Sequence, residues 1–140
     1  MKITKEQRDA LAAAAISARE ASYSPYSGFA VGAALLCRDG KIYTGANIEN
    51  ASYTPTVCAE RVAVFRAVHD GEREFLAIAI AGGRVGEPLT NEAAPCGVCR
   101  QVMAEFADGS FEILLATKDG YTVHTLAELL PFGFGKENLI

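Results

Sequence analysis

Three cysteines and one glutamate form the pattern in this sequence that is best suited to chemistry. Glu60 follows Cys58 by two residues, and Cys96 and Cys99 form a Cys-x-x-Cys pair further along the chain. At the start of a helix such a pair can bring two thiolates to one metal ion, because the helix dipole stabilises negative charge there. A Cys-x-x-Cys pair by itself is weak evidence for a metal site. Together with the upstream Cys-x-Glu, the evidence becomes strong.

Other roles for these cysteines have to be weighed. Cys58 could be a small core residue, and Cys96 with Cys99 could be a thioredoxin-like redox pair, although that motif follows a first strand and this pair lies late in the chain. A structural zinc site is a third possibility, but such sites normally have four protein ligands. The remaining candidate ligands are Cys37, His69 and His124.

None of those three is a convincing fourth ligand. His69 follows Cys58 by eleven residues on the same predicted helix, which places it roughly 16 Å along the axis. Cys37 ends a predicted hairpin strand, where a core or surface thiol is expected. Three ligands and an open position indicate a catalytic zinc.

The residues that follow Cys58 fit such a site. For Cys58 and Glu60 both to reach a metal, Cys58 must lie at the irregular start of a helix. Glu60 could then take a proton from a zinc-bound water; otherwise it only complements the helix dipole. Three thiolates and Zn²⁺ carry a net negative charge. Arg61 lies on the same helical face as Cys58 and could withdraw part of that charge by donating to the thiolates, unless it is simply a solvated side chain.

The composition indicates one ordinary domain, residues 1–140. Half of the residues are hydrophobic and about a fifth are charged, so the chain can bury a normal core. No apolar run is long enough to span a bilayer, and the charges scattered through the first twenty residues predict a helix rather than a signal peptide. We therefore expect a cytoplasmic protein with reduced thiols and no membrane partner.

The charge balance argues against nucleic acid as the main partner. The net charge is -4 and the pI is about 5.2, with Lys and Arg spread along the chain. Proteins that follow a phosphate backbone normally present a positive face. A small neutral substrate fits this balance better.

Sequence patterns predict an alternation of helices and strands. The predicted helices are 4–21, 56–69, 95–106 and a short one that ends before Pro131, and the predicted strands are 29–36, 41–48, 75–81 and 111–117. Capping boxes at Thr4 and Thr125 mark two of the helix starts, and Pro95 suits the first turn of another. Residues 82–94 are expected to be a loop. The order α-β-β-α-β-α-β-α predicts a partly parallel sheet of four or more strands, with helices on both faces.

Four segments together resemble the cytidine deaminase family, in particular its small homotetrameric type. They are YSGFAVGAALL (26–36), NIENASY (47–53), CAER (58–61) and PCGVCRQ (95–101), in the family's order. The last two match the zinc-deaminase pattern, in which a third Cys can replace His. The resemblance extends from about Tyr26 to Phe134. It implies an α/β fold, a three-layer α/β/α sandwich with a mixed sheet.

The resemblance also implies roles for individual residues. Cys58, Cys96 and Cys99 would bind Zn²⁺, and Glu60 would carry protons. Further assignments concern substrate binding: Phe29 for the pyrimidine, Asn47 and Glu49 for the ribose 3'-hydroxyl, Ala51 and Tyr53 for a neighbouring subunit's site near the 5'-hydroxyl, and Phe134 for stacking on a base across the interface. The family pattern Leu-Leu-Pro-x-x-Phe selects Phe134, with Phe132 nearby as a competitor.

The implied activity is that of a hydrolase of pyrimidine salvage. Zinc lowers the pKa of a water, Glu60 accepts its proton, and cytidine or deoxycytidine becomes uridine or deoxyuridine with release of ammonia. A blasticidin-type deaminase with the same zinc site is the alternative, against which Phe29, Asn47 and Glu49 favour cytidine. A cytosine-editing enzyme on RNA or DNA is disfavoured by the acidic balance, and a non-catalytic zinc module by the missing fourth ligand.

Overall fold

The computed structural model describes residues 2–89 and 92–139. The helices are α1 (Lys5–Ala18), α2 (Ala59–His69), α3 (Gly97–Phe106) and α4 (Leu126–Leu129). The strands are β1 (Phe29–Cys37), β2 (Ile42–Ala46), β3 (Phe75–Arg84), β4 (Glu112–Thr117) and β5 (Gly120–Thr125). Short 3-10 turns occupy Arg19–Ala21 and Lys136–Asn138. No helix in these ranges is long and apolar enough to cross a membrane.

The five strands form one mixed sheet in the order β2-β1-β3-β4-β5. Only β3 and β4 run parallel, and the other three neighbouring pairs are antiparallel. The parallel pair is connected through α3, which is the crossover that a parallel connection requires. The C-terminal end of β3 therefore leads through a loop into α3.

Helices cover both faces of the sheet, which confirms the three-layer α/β/α sandwich. On one face, Leu11 and Ala15 of α1 pack on a row of small residues that includes Ala77 and Ala79 of β3. On the other face, α2, α3 and α4 pack on the larger side chains of the central strands, among them Ile78 and Ile113. The alternation along β3 follows from the two-residue period of a strand.

Two glycines allow helices to lie directly against the sheet. A Cβ atom at Gly32 of β1 would lie 2.1 Å from the Ala15 carbonyl oxygen, and one at Gly45 of β2 would lie 2.5 Å from the Ala59 carbonyl oxygen. Real Cβ atoms do not come that close, so the helix backbones could not pack here against any other residue. Gly45 thus lets the first turn of α2 approach the sheet, and this turn carries Glu60.

Several predicted boundaries were wrong by a few residues. α2 begins at Ala59 and α3 at Gly97, because Cys58 and Cys96 are N-cap residues with extended backbones. Pro95 consequently precedes the helix instead of forming its first turn. β2 ends at Ala46, and β3 continues to Arg84 into the predicted loop. Thr90 and Asn91 of that loop lie outside the described residues.

Strand β5 was missing from the predicted order. It forms an antiparallel hairpin with β4, pairing Thr117 with Gly120 and Glu112 with Thr125. The Asp119-Gly120 turn and the β-branched residues after it are typical of a hairpin. The signal was therefore present in the sequence. Both predicted capping boxes, Thr4 with Gln7 and Thr125 with Glu128, are confirmed.

Candidate functional site

Three thiols from two separate helix starts come together beside the sheet. The Sγ atoms of Cys58, Cys96 and Cys99 all lie within 4.8 Å of one another. The separation is 3.9 Å from Cys58 to Cys96 and 3.6 Å from Cys96 to Cys99. Among the described residues, no other group of three or more His, Cys, Asp or Glu side chains is arranged to hold a metal ion.

The local structure explains why these thiols converge. Cys58 is the N-cap residue of α2 and Cys96 that of α3, and neither side chain makes a capping hydrogen bond. Cys99 lies one turn into α3, so its thiol shares the helix end with that of Cys96. Both helix dipoles therefore stabilise negative charge at one point, which favours thiolates and the metal that binds them.

The cluster fits a zinc ion in size and chemistry. Zn–S bonds of about 2.3 Å in a tetrahedral site correspond to sulfur separations of about 3.8 Å, close to the two separations measured here. Thiolates are ligands that zinc prefers. Three cysteines leave one tetrahedral position open, and a position of this kind is where catalytic zinc sites hold water or substrate.

Arg61 lies against the thiols as the sequence suggested. Its Nη2 atom donates a hydrogen bond of 3.4 Å to Cys58 Sγ, and its buried Nε atom has no partner in the described structure. Hydrogen bonds from Cys99 and from Arg61 lower the pKa of Cys58 below its ordinary value. The guanidinium thus stabilises negative charge on the cluster.

Glu60 is buried beside the cluster. Its side chain lies in the first turn of α2 and the residue is only 5% exposed. Burial raises the pKa of its carboxyl group to about 7, and the negative charge of Cys58 contributes in the same direction. A carboxyl group with a pKa near neutrality can both accept and donate protons at physiological pH.

Asn47 is buried, and most of the hydrogen-bonding capacity of its amide group is used within the protein. Its Oδ1 accepts hydrogen bonds from Ser22 Oγ and from the backbone N–H of Val31 at 2.9 Å, and its Nδ2 donates to the Phe29 carbonyl at 2.9 Å. An amide group has two N–H donors, and the second makes no hydrogen bond with the described residues. Asn47 can therefore offer one donor to a ligand while it holds the start of β1 in place.

Glu49 faces the loop before β1. Its Oε1 accepts hydrogen bonds from the backbone N–H groups of Tyr26 and Ser27 at 2.9 and 3.1 Å, and its Oε2 accepts one from Ser27 Oγ. The Ser27 hydroxyl and these backbone donors lower the pKa of the Glu49 carboxyl group. Glu49 is therefore ionised at neutral pH. It lines a cavity of about 330 Å³ with Tyr26, Ser27, Asn50, Tyr53 and Thr56.

Phe29 is the first residue of β1, and its backbone is hydrogen-bonded to Asn47 and to Ser27, the partner of Glu49. Its ring packs so closely over Gly82 of β3 that a Cβ atom there would lie 2.9 Å from the ring and 2.8 Å from Ala93 Cβ. The absence of a side chain at Gly82 thus makes room for the aromatic ring. Phe29, Asn47 and Glu49 are brought together through the 22–31 segment.

The residues assigned to a neighbouring subunit are exposed on the surface. Ala51 and Tyr53 are in an exposed loop, where Tyr53 is 73% exposed, has a left-handed backbone (φ 56°), and makes an edge contact with Tyr26. Phe134 is 58% exposed in the C-terminal tail, and its carbonyl accepts a hydrogen bond from Gln101. Phe132 is fully exposed.

The three other candidate ligands are not part of the thiol cluster. Cys37 is buried in the core at the end of β1, where burial raises the pKa of its thiol to about 12. His69 ends α2, and His124 pairs with Thr122 on β5. All four cysteines are free thiols.

Known proteins match this chain over most of its length. The cytidine and deoxycytidylate deaminase zinc-binding region matches residues 5–114. A cytidine deaminase of Sporosarcina psychrophila is 51% identical over 123 residues, which cover 87% of each chain. One of Halalkalibacterium halodurans is 46% identical over 133 residues, which cover 94% of this chain and 97% of that protein.

A solved structure shows the same fold. The crystal structure of cytidine deaminase from Burkholderia pseudomallei superposes with a TM-score of 0.83 at 44% identity, covering 94% of this chain and all of that one. The zinc-binding region that matches the chain includes the three clustered thiols, so zinc is the metal for which this fold is built. Sequence, fold and site agree, and the chain belongs to the cytidine and deoxycytidylate deaminase family.

Proposed function

We propose that this chain, as a single domain, catalyses the zinc-dependent hydrolytic deamination of cytidine and deoxycytidine. The products are uridine and deoxyuridine, with release of ammonia, which is a reaction of pyrimidine salvage. The observation that carries the proposal is the buried Glu60 carboxyl group beside three thiols that can hold zinc. Relatives named cytidine deaminase at 51% and 46% identity support cytidine over blasticidin as the substrate.

In this mechanism, Cys58, Cys96 and Cys99 would hold the metal, and Arg61 would stabilise their negative charge. The chemistry that Zn²⁺ supplies when bound is the activation of water for attack. Glu60 accepts a proton from the attacking water and donates it to N3 of the pyrimidine, then takes the remaining hydroxyl proton from the oxygen on C4 and transfers it to the 4-amino group. The C4–N4 bond breaks, the water oxygen remains on C4, and ammonia leaves. The burial of Glu60 keeps this proton transfer away from bulk water.

The remaining residues orient the nucleoside. Phe29 contacts the pyrimidine, Asn47 donates its free N–H to the 3'-hydroxyl, and Glu49 accepts the proton of that hydroxyl. An ionised carboxylate has about four acceptor sites, and three hydrogen bonds from the loop occupy part of them. Room therefore remains for a substrate hydroxyl without breaking the loop.

The charge around the sugar site favours a nucleoside over a nucleotide. Glu49 carries the only formal charge among the six residues that line the adjacent cavity. A 5'-phosphate there would meet a carboxylate and no balancing cation in this lining, and like charges repel. We therefore propose nucleosides, and not deoxycytidylate, as the substrates.

We further propose a cytoplasmic homotetramer with shared active sites. Tyr53 and Phe134 are large apolar side chains that remain mostly exposed, as side chains that complete a neighbour's site would be. The three thiols must stay reduced to bind metal, which agrees with a cytoplasmic location. Light scattering should report a tetramer, and a fully active monomer would refute this arrangement.

A substrate panel tests the proposed function. The purified protein is incubated with cytidine, deoxycytidine, cytosine, deoxycytidylate, blasticidin S and a cytosine-containing RNA oligonucleotide, and the products are identified by chromatography. We expect conversion of the two nucleosides only. Preferential conversion of deoxycytidylate, blasticidin S or RNA would replace the proposal with that substrate class.

A further inference from the structure

The hydroxyl group of Ser27 connects two residues of the substrate site. Ser27 Oγ donates to Glu49 Oε2 and accepts a hydrogen bond of 3.0 Å from the backbone N–H of Phe29. The direction of both bonds follows from chemistry, because an amide N–H can only donate and an ionised carboxylate can only accept. The hydroxyl proton is therefore directed at Glu49.

Ser27 also determines how the Glu49 carboxylate is turned. Oε1 is held by two backbone N–H groups of the loop, whereas Ser27 Oγ is the single partner of Oε2 among the described residues. With both oxygens held, the carboxylate plane is fixed. Without the hydroxyl, one oxygen would remain anchored and the group could rotate.

Phe29 is held by the same network from its other side. Its carbonyl oxygen accepts from Asn47 Nδ2, while its N–H donates to Ser27 Oγ. The two residues proposed to bind the sugar are thus connected through the backbone of the residue proposed to contact the base. Ser27 is the connection on the Glu49 side.

We infer that Ser27 is a positioning residue that sets the Glu49 carboxylate for the 3'-hydroxyl and ties it to Phe29. The inference rests on the proposed function. Ser27 acts through Glu49, so its removal should weaken recognition of the 3'-hydroxyl and leave the reaction at C4 nearly intact. The effect should accordingly depend on whether the substrate has that hydroxyl.

The test compares Ser27→Thr with Ser27→Val, which differ in little except the hydroxyl group. For each variant, kcat and KM are measured with deoxycytidine and with 2',3'-dideoxycytidine. We expect Ser27→Val to lose about tenfold in kcat/KM on deoxycytidine, mostly through KM, and less than about twofold on the dideoxy analogue, since a hydrogen bond to a charged group is removed. Ser27→Thr should stay close to the parent.

Two controls separate positioning from folding. Ser17→Ala removes an exposed hydroxyl of α1 that makes no hydrogen bond with any residue of the described ranges 2–89 and 92–139, and it should change nothing. In a Glu49→Ala background, Ser27→Val should cost little more, because its partner is already gone. Circular dichroism and thermal unfolding report whether each variant is folded.

The inference is overturned if Ser27→Val harms both substrates equally, harms neither, or costs as much in the Glu49→Ala background as in the parent. Equal losses by Ser27→Thr and Ser27→Val would also overturn it. A parent enzyme that deaminates neither nucleoside would instead remove the proposed function. The two failures are therefore distinguishable.

Discussion

Cys58 Sγ and Cys96 Sγ lie 3.9 Å apart although 38 residues separate them in the chain. Each is the N-cap residue of its helix, and each keeps its side chain free of any capping hydrogen bond. Ser, Thr, Asp or Asn would normally cap a helix at this position. Cysteine at both N-cap positions thus replaces two side chains that would cap the helices. In return, two thiols lie where both helix dipoles stabilise negative charge.

Removal of metal should change the reactivity of two thiols out of four. In the zinc-loaded protein we expect no rapid alkylation, because zinc holds Cys58, Cys96 and Cys99 and the core encloses Cys37. After chelation, the exposed Cys96 and the half-buried Cys58 should react, whereas Cys99 and Cys37, which are both buried, should stay protected until the protein is unfolded. Mass spectrometry after alkylation counts them. Zinc binding that is unaffected by Cys96→Ala would contradict the assignment.

The reactivity of Cys37 should depend on pH in a particular way. Burial raises its pKa to about 12 in the folded protein, against about 8.5 for an unfolded cysteine. The raised value stabilises the folded state fully below about pH 8.5, and this contribution is lost as the pH rises towards 12. We expect alkylation of Cys37 at pH 9 in the denatured chain only. Equal rates in native protein would show that the thiol is accessible.

Glu60→Gln should keep zinc and fold while losing activity. Gln has nearly the same shape but cannot carry a proton, and removal of a general acid/base commonly costs about 10²–10⁴-fold. Because Glu60 serves several proton transfers, the loss could exceed that range. Steady-state kinetics and metal analysis check it, with the exposed Glu20→Gln in the 3-10 turn after α1 as the control. Near-normal turnover would mean that another group moves the proton.

Glu49→Ala should weaken recognition of the sugar and leave the reaction at C4 unchanged. The change removes the acceptor for the 3'-hydroxyl, so kcat/KM should fall about tenfold to a hundredfold for cytidine and similarly for deoxycytidine. 2',3'-Dideoxycytidine should be a poor substrate for the parent and should lose little more. An equal loss on cytidine and on the dideoxy analogue would show that Glu49 contributes to folding or to binding of the base, and not to recognition of the 3'-hydroxyl.

Asn47→Ala should differ from Glu49→Ala by its effect on stability. Asn47 is 9% exposed and satisfies three groups of the protein, on Ser22, Phe29 and Val31. Leaving buried polar groups unpaired costs about 1–3 kcal/mol each, so the free energy of unfolding should fall by at least about 2 kcal/mol. Chemical denaturation measures this. An unchanged stability would show that water replaces the amide group at no cost.

The sequence was sufficient for features that depend on local chemistry. The capping boxes at Thr4 and Thr125 follow from residues close together in the chain. Strand β5 could also have been found from the Asp119-Gly120 turn. The sequence analysis misses it because none of its residues is buried, so it lacks the apolar run that marks the other strands.

Contacts between distant residues could not be predicted in this way. The hydroxyl of Ser27 meets Glu49 across 22 residues, and Ser22 meets Asn47 across 25. The sequence around a serine in a loop does not indicate which residue its hydroxyl group will contact. The need for glycine at position 45 could not be predicted either. Only the packing of α2 on β2 shows that a side chain there would collide with the helix backbone.

Turnover of cytidine by protein with measured zinc content tests the central claim most directly. Protein carrying one zinc per chain is mixed with cytidine, ultraviolet absorbance follows the loss of the 4-amino pyrimidine, and released ammonia is measured in the same sample. We predict equimolar uridine and ammonia, with both abolished in Glu60→Gln at equal zinc content. Folded, zinc-loaded parent protein that leaves cytidine unchanged would contradict the account.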